Sequence, residues 1–86
     1  MTTRAPGAEP VRVLVVDDDA AFRDALTELL RAHGIDVVGT VGSGEAALEA
    51  VTVVVPDVVL MDMHMPGLSG AVTAARLQTV APEARV

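Results

Sequence analysis

Three short apolar runs, each stopped abruptly by acid or by a glycine turn, constrain this chain more than any other feature. Val11–Val16 reads VRVLVV and ends in Asp17-Asp18-Asp19. Ile35–Val41 (IDVVGTV) ends in Gly42-Ser43-Gly44, and Asp57–Met61 (DVVLM), preceded by Pro56, ends in Asp62. Apolar runs of about four to eight residues between turn signals are typical of strands buried on both faces of a parallel sheet. Helical patterns lie between them. Phe22, Ala25, Leu26, Leu29 and Leu30 fall at i, i+3, i+4, i+7 and i+8. That spacing predicts an amphipathic helix over Ala20–His33, burying Phe22, Leu26, Leu29 and Leu30 and leaving Arg23 and Glu28 outside. Asp19 suits its N-cap, Gly34 its stop, and His33 a favourable place at its carbonyl end. A second helix begins near Glu45, although Thr52–Val55 is β-branched and leans toward strand. A third spans about Ser69–Thr79, and Arg85-Val86 has the character of a fourth strand beginning.

Strands alternating with helices imply a parallel sheet joined by right-handed crossovers. With 86 residues the chain makes one small domain at most. Apolar residues make up 51% of it, and since 16 are Val, 14 are Ala and Phe22 is the one aromatic, the core must be built from small side chains. That hydrophobicity excludes a disordered polar chain, and the lack of Cys excludes a disulfide framework or thiolate metal site. A net charge of −6 has the wrong sign for a nucleic-acid footprint. The longest apolar runs are far below the ~20 residues that span a bilayer, and Met1–Pro10 reads as a flexible polar tail rather than a signal peptide. A cytoplasmic protein is expected.

In such sheets chemistry gathers at the carboxyl ends of the strands. There the first strand delivers Asp17, Asp18 and Asp19, and the third delivers Asp62. Carboxylates crowded at one sheet edge repel one another and suit a hard divalent cation such as Mg²⁺. The plainer alternative is an N-cap with solvated acids near a helix N-terminus. A different motif also runs through the chain. Gly42-Ser43-Gly44-Glu45-Ala46-Ala47 fits G-x-G-x-x-A, and Asp62 lies 20 residues past Gly42, as in a dinucleotide-binding βαβ unit. Against it, Glu45 puts a carboxylate where a pyrophosphate needs bare N–H groups. A tight strand-to-helix turn explains the same glycines.

Val13–Asp19 (VLVVDDD), Ala20–Leu26 (AAFRDAL), Gly44–Leu48 (GEAAL) and Pro56–Gly70 (PDVVLMDMHMPGLSG) together resemble the receiver domain of bacterial two-component response regulators. The last segment is the most specific: an apolar strand, one Asp, three residues, Pro-Gly, then a second Gly. The wording is closest to the branch with helix-turn-helix output domains. The resemblance implies a flavodoxin-like, doubly wound α/β sheet, here in strand order 2-1-3. It implies that Asp62 accepts a phosphoryl group from a histidine kinase. Asp17 and Asp18 would hold Mg²⁺ with Asp62 and the backbone carbonyl of His64. On this pattern residues 11–86 form a partial receiver domain, lacking most of the fourth strand and the helices and strand beyond it. The family's later Ser/Thr and Lys have no counterpart here, and all six cations are Arg. The chain is therefore expected to be a signalling phosphoacceptor rather than an enzyme, and doubtful as an autonomous one. It would bind no nucleic acid or membrane, and the cut sheet edge would invite self-association. A receiver remnant acting only as an interaction module is the alternative.

Overall fold

The computed structural model describes residues 10–62 and 70–80. The expected tail, the Met63–Gly67 loop with His64, the Ser69 helix start and the Arg85-Val86 strand lie outside the described residues, apart from Pro10. Six elements follow in order: β1 (Arg12–Val16), α1 (Ala20–Ala32), β2 (Asp36–Val41), α2 (Gly44–Ala50), β3 (Val58–Met61) and α3 (Gly70–Val80). The strands form one parallel sheet in the order β2-β1-β3, as expected. No helix among the described residues is long and apolar enough to cross a membrane.

Central strand β1 is buried on both sides, and its side chains alternate between two cores. Leu14 and Val16 join Val59 with Ala47 and Val51 from α2 and its C-cap, and with Leu77 from α3. Val13 and Val15 join Val37 on the other face, where Leu26 and Leu30 of α1 cover them. A helix layer thus lies on each face of the sheet. β1 and β3 are locked at their starts by a reciprocal pair. The Asp57 N–H donates to the Arg12 carbonyl at 2.8 Å, and the Arg12 N–H donates to Asp57 Oδ2 at 2.9 Å. From there the register runs Val13↔Val58 through Val16↔Met61. On the other side of β1, the pairing skips Val38, so that Leu14 faces Gly39. This is a bulge, and a Cβ on Gly39 would crowd Leu14 Cδ1 at 3.2 Å.

Helix α1 departs from its expected face. Phe22 and Leu29 are 50% and 56% exposed, whereas Thr27 is buried and Arg23 is half-buried. The face turned to the sheet is Arg23, Leu26, Thr27 and Leu30, spaced i, i+3, i+4 and i+7. α1 packs chiefly on β2 and β1. Because α1 sits over β2 and β1, Phe22 is left at a crevice toward β3 and Leu29 is left exposed. The β-branched stretch after α2 also resolves against strand. Thr52 and Val53 N–H groups bond Glu49 and Ala50 carbonyls, and Thr52 Oγ1 donates to Glu49 O at 2.7 Å. Capturing the carbonyls left over at a helix end outweighs β propensity where no neighbouring strand is available.

Where α2 and α3 pack together, Gly44 lies closest to Thr73. A Cβ added to Gly44 would overlap Thr73 Oγ1, and that buried hydroxyl has no hydrogen-bond partner among the described residues. Gly44 is needed here for space. Gly44→Ala is expected to lower stability by about 1–3 kcal/mol, the usual cost of overpacking. Adding Thr73→Ala should recover part of the loss, as read by urea denaturation of the single and double variants. Independent, additive losses would contradict this packing.

Candidate functional site

The β1–β3 register determines which residues meet at the carboxyl edge. Val16 stands beside Met61, so Asp17 and Asp62, one step further on, leave the sheet side by side. Both are held by the neighbouring strand: the Asp17 N–H donates to Val41 O at 3.1 Å and the Asp62 N–H to Val16 O at 3.0 Å. Each has a ligand oxygen, as does Asp18, and the three oxygens lie within 4.8 Å of one another. Asp17 and Asp62 are half-buried, and Asp18 is exposed. Oxygens sharing one Mg²⁺ at about 2.1 Å sit at most about 4.2 Å apart, so small side-chain rotations would bring all three onto one ion. The donor set therefore fits a hard cation. His64, expected to add a backbone carbonyl, lies outside the described residues.

The loop that carries these acids is tightly braced. Asp17 Oδ1 accepts the Asp19 N–H at 2.8 Å, and Asp19 Oδ1 in turn accepts the Phe22 N–H at 3.1 Å, capping α1 as expected. At the other end of α1, His33 Nδ1 lies 2.9 Å from the Leu29 carbonyl, and Gly34 takes φ +78°. Asp19 thus serves the helix, while Asp17, Asp18 and Asp62 converge. Beside them a crevice of about 360 Å³ opens between α1 and β3, lined by Val15, Val16, Phe22, Leu26, Leu60 and Met61. Phe22 forms part of the lining of this crevice and does not plug the core.

One residue of the site escaped the sequence reading. Arg23, expected to face solvent, sends its guanidinium back over the loop, where Nη1 donates to the Asp17 carbonyl. It passes directly against Gly42, where a Cβ would stand 3.2 Å from Nη1. The available signal was the bare Gly42 opposite a helix position one turn past the acids.

The glycine motif does not form a nucleotide cradle. Ser43 Oγ accepts the Ala46 N–H at 3.0 Å, Glu45 occupies the first turn, and Thr73 fills the space against Gly44. The Ala46 N–H is already capped, the space beside Gly44 is filled and a carboxylate stands in the first turn, all of which count against the dinucleotide alternative.

Residues 13–86 match the response regulator receiver domain family. The chain belongs to that family. This receiver domain is 41% identical over 76 residues to the transcriptional regulatory protein PdtaR of Mycobacterium tuberculosis, covering 88% of the chain and 37% of PdtaR. It is 45% identical over 73 residues to a protein-glutamate methylesterase/protein-glutamine glutaminase of Geobacter metallireducens, covering 84% of the chain and 21% of that protein. In three dimensions it resembles the signal receiver domain of NarL from M. tuberculosis, with a TM-score of 0.84 and 42% identity over 91% of this chain and 64% of that one. The response regulator domain of Thermotoga maritima CheB gives a TM-score of 0.81 at 35% identity, over 90% of this chain and 57% of that one. The receiver domain thus spans under two fifths of these full-length relatives and about three fifths of the solved domains.

Proposed function

We propose that this receiver domain is the phosphoacceptor of a cytoplasmic two-component phosphorelay, with Asp62 accepting a phosphoryl group from the phosphohistidine of a sensor kinase. The observation that carries the reading is the convergence of Asp17, Asp18 and Asp62 at the carboxyl edge of the sheet. Asp17, Asp18, Asp62 and the His64 carbonyl would hold Mg²⁺, which offsets the charge on the incoming group. Asp62 supplies the attacking carboxylate oxygen, and the braced β1–α1 loop fixes its acidic neighbours. The half-buried position of Asp62 keeps the acceptor next to the crevice while leaving it within reach of a partner's histidine. The acidic chain itself contacts no nucleic acid.

This 86-residue polypeptide would carry out the reaction slowly. It holds no Lys to offset charge on the phosphoryl group. Removal of one such electrostatic contact typically costs ~10²–10³ in rate.

A second reading, a receiver remnant that works by association, is favoured by the unequal edges of the sheet. β2 is guarded by its bulge, by exposed Asp36 and by Arg31 Nη2, which donates to the Val37 carbonyl at 3.4 Å. β3 presents Val58-Val59-Leu60-Met61 with no charge or bulge, and among the described residues it pairs with β1 alone. Such edges invite pairing.

Three experiments separate the readings. Mg²⁺ binding followed by calorimetry should be weak but measurable, and Asp18→Ala should abolish it; an unchanged titration would refute the ligand role of Asp18. Acetyl phosphate with Mg²⁺, read by intact mass, should give a substoichiometric adduct that disappears in Asp62→Ala. Intact Mg²⁺ binding without any adduct would favour the association reading, and a stoichiometric adduct would show that the reaction needs no Lys. For the edge, sedimentation should show concentration-dependent association that Leu60→Lys weakens; a monomer at all concentrations would remove the second reading.

A further inference from the structure

We propose that Arg23 is a positioning residue for the acidic cluster, clamping the peptide that joins Asp17 to Asp18 and so setting the angle between their carboxylates. The inference rests on the cation-binding reading above and extends it to a residue outside the ligand set.

Asp17 is tied at three points. Its N–H donates to Val41 O, its Oδ1 accepts the Asp19 N–H, and its carbonyl accepts from Arg23 Nη1. The first two hold the strand end and the Asp17 side chain. The third acts on the carbonyl that shares a plane with the Asp18 N–H, because a peptide unit is rigid. Asp18 is exposed, and its side chain has no hydrogen-bond partner among the described residues. The peptide plane that Arg23 holds therefore sets where the Asp18 backbone leaves the strand and narrows the positions its carboxylate can reach. Arg23 is itself fixed from both sides. Its N–H bonds the Asp19 carbonyl at 2.9 Å in the first turn of α1, and its guanidinium lies against bare Gly42. One side chain thereby connects α1, the end of β1 and the β2–α2 turn. The wide, planar guanidinium keeps this geometry with little freedom left to lose.

Charge and position make opposite predictions. A guanidinium beside a cation site repels the cation, so if charge were its main effect, removing Arg23 would tighten binding. If position dominates, removal weakens it. Mg²⁺ is also the more exacting reporter, because it demands near-octahedral ligands whereas Ca²⁺ accepts irregular ones.

The test measures Mg²⁺ and Ca²⁺ affinities of the wild type, Arg23→Ala and Arg23→Lys by calorimetry, with the urea midpoint of each protein alongside. Arg23→Ala is expected to weaken Mg²⁺ binding roughly 10-fold, as loss of groups that orient metal ligands commonly does. Ca²⁺ should change by less than about threefold, and Arg23→Lys should restore part of the Mg²⁺ affinity. Gly42→Ala provides a second route if Arg23→Ala does not fold: its methyl displaces the guanidinium from below and should reproduce the selective loss of Mg²⁺. Tighter binding of both ions, or equal losses that track the urea midpoint, would overturn the positioning role while leaving the cation site in place. A wild type whose Mg²⁺ response is absent, or is unaltered by Asp18→Ala, would overturn the site itself, and this inference with it.

Discussion

The reciprocal bond between Arg12 and Asp57 sits at the far end of the sheet from the acids, yet their meeting depends on it. It starts β3 against β1 in a register that carries through four paired residues to Val16 and Met61. A slip of one residue would turn every β3 side chain to the opposite face and shift Asp62 out of step with Asp17. Arg12 Nε adds a bond to the Val55 carbonyl at 3.1 Å, tying the segment before β3 to the same strand start. Stability and chemistry are therefore joined in one constraint: the bonds that build the sheet also bring three like charges together.

Those charges are tolerated because the rest of the molecule holds them. Above and below β1, the two cores use Val, Leu and Ala side chains that fit between closely spaced layers. The helices can approach only because small residues stand at the contacts, as Gly44 does beneath Thr73. At the carboxyl edge, hydrogen bonds to Asp17, Asp19 and Asp62 oppose the repulsion that would otherwise spread the loop. An ion bound there would take over part of that task, so binding and local order should rise together.

Much of this was legible in the sequence, for physical reasons that can be named. A strand buried on both faces leaves a continuous apolar run, so β1 and β3 were visible along with the acids that end them. Capping is local chemistry, which made Asp19 and Gly34 readable. What could not be read depended on neighbours distant in sequence. The stripe of α1 gave the right helix but the wrong rotation, because α1 packs over β2 and β1 and leaves Phe22 and Leu29 exposed. Thr27 and Thr73 are buried polar residues that no periodicity marks. Arg23 looked like surface charge because its target is a backbone carbonyl, which is identical at every position in the sequence. The Val38 bulge was hinted at only by Gly39 inside a strand.

The central claim is that Asp17, Asp18 and Asp62 act together on one cation. Mn²⁺ in place of Mg²⁺, with amide NMR signals followed residue by residue, tests it most directly. At substoichiometric Mn²⁺ the amides of Asp17, Asp18 and Asp62 should broaden first, with Gly42 close behind, while Ile35 and Asp36 at the opposite end of the sheet stay sharp. Broadening spread evenly over exposed acids such as Glu28, Glu45 and Glu49 would contradict a shared site and reduce the cluster to three neighbouring surface charges.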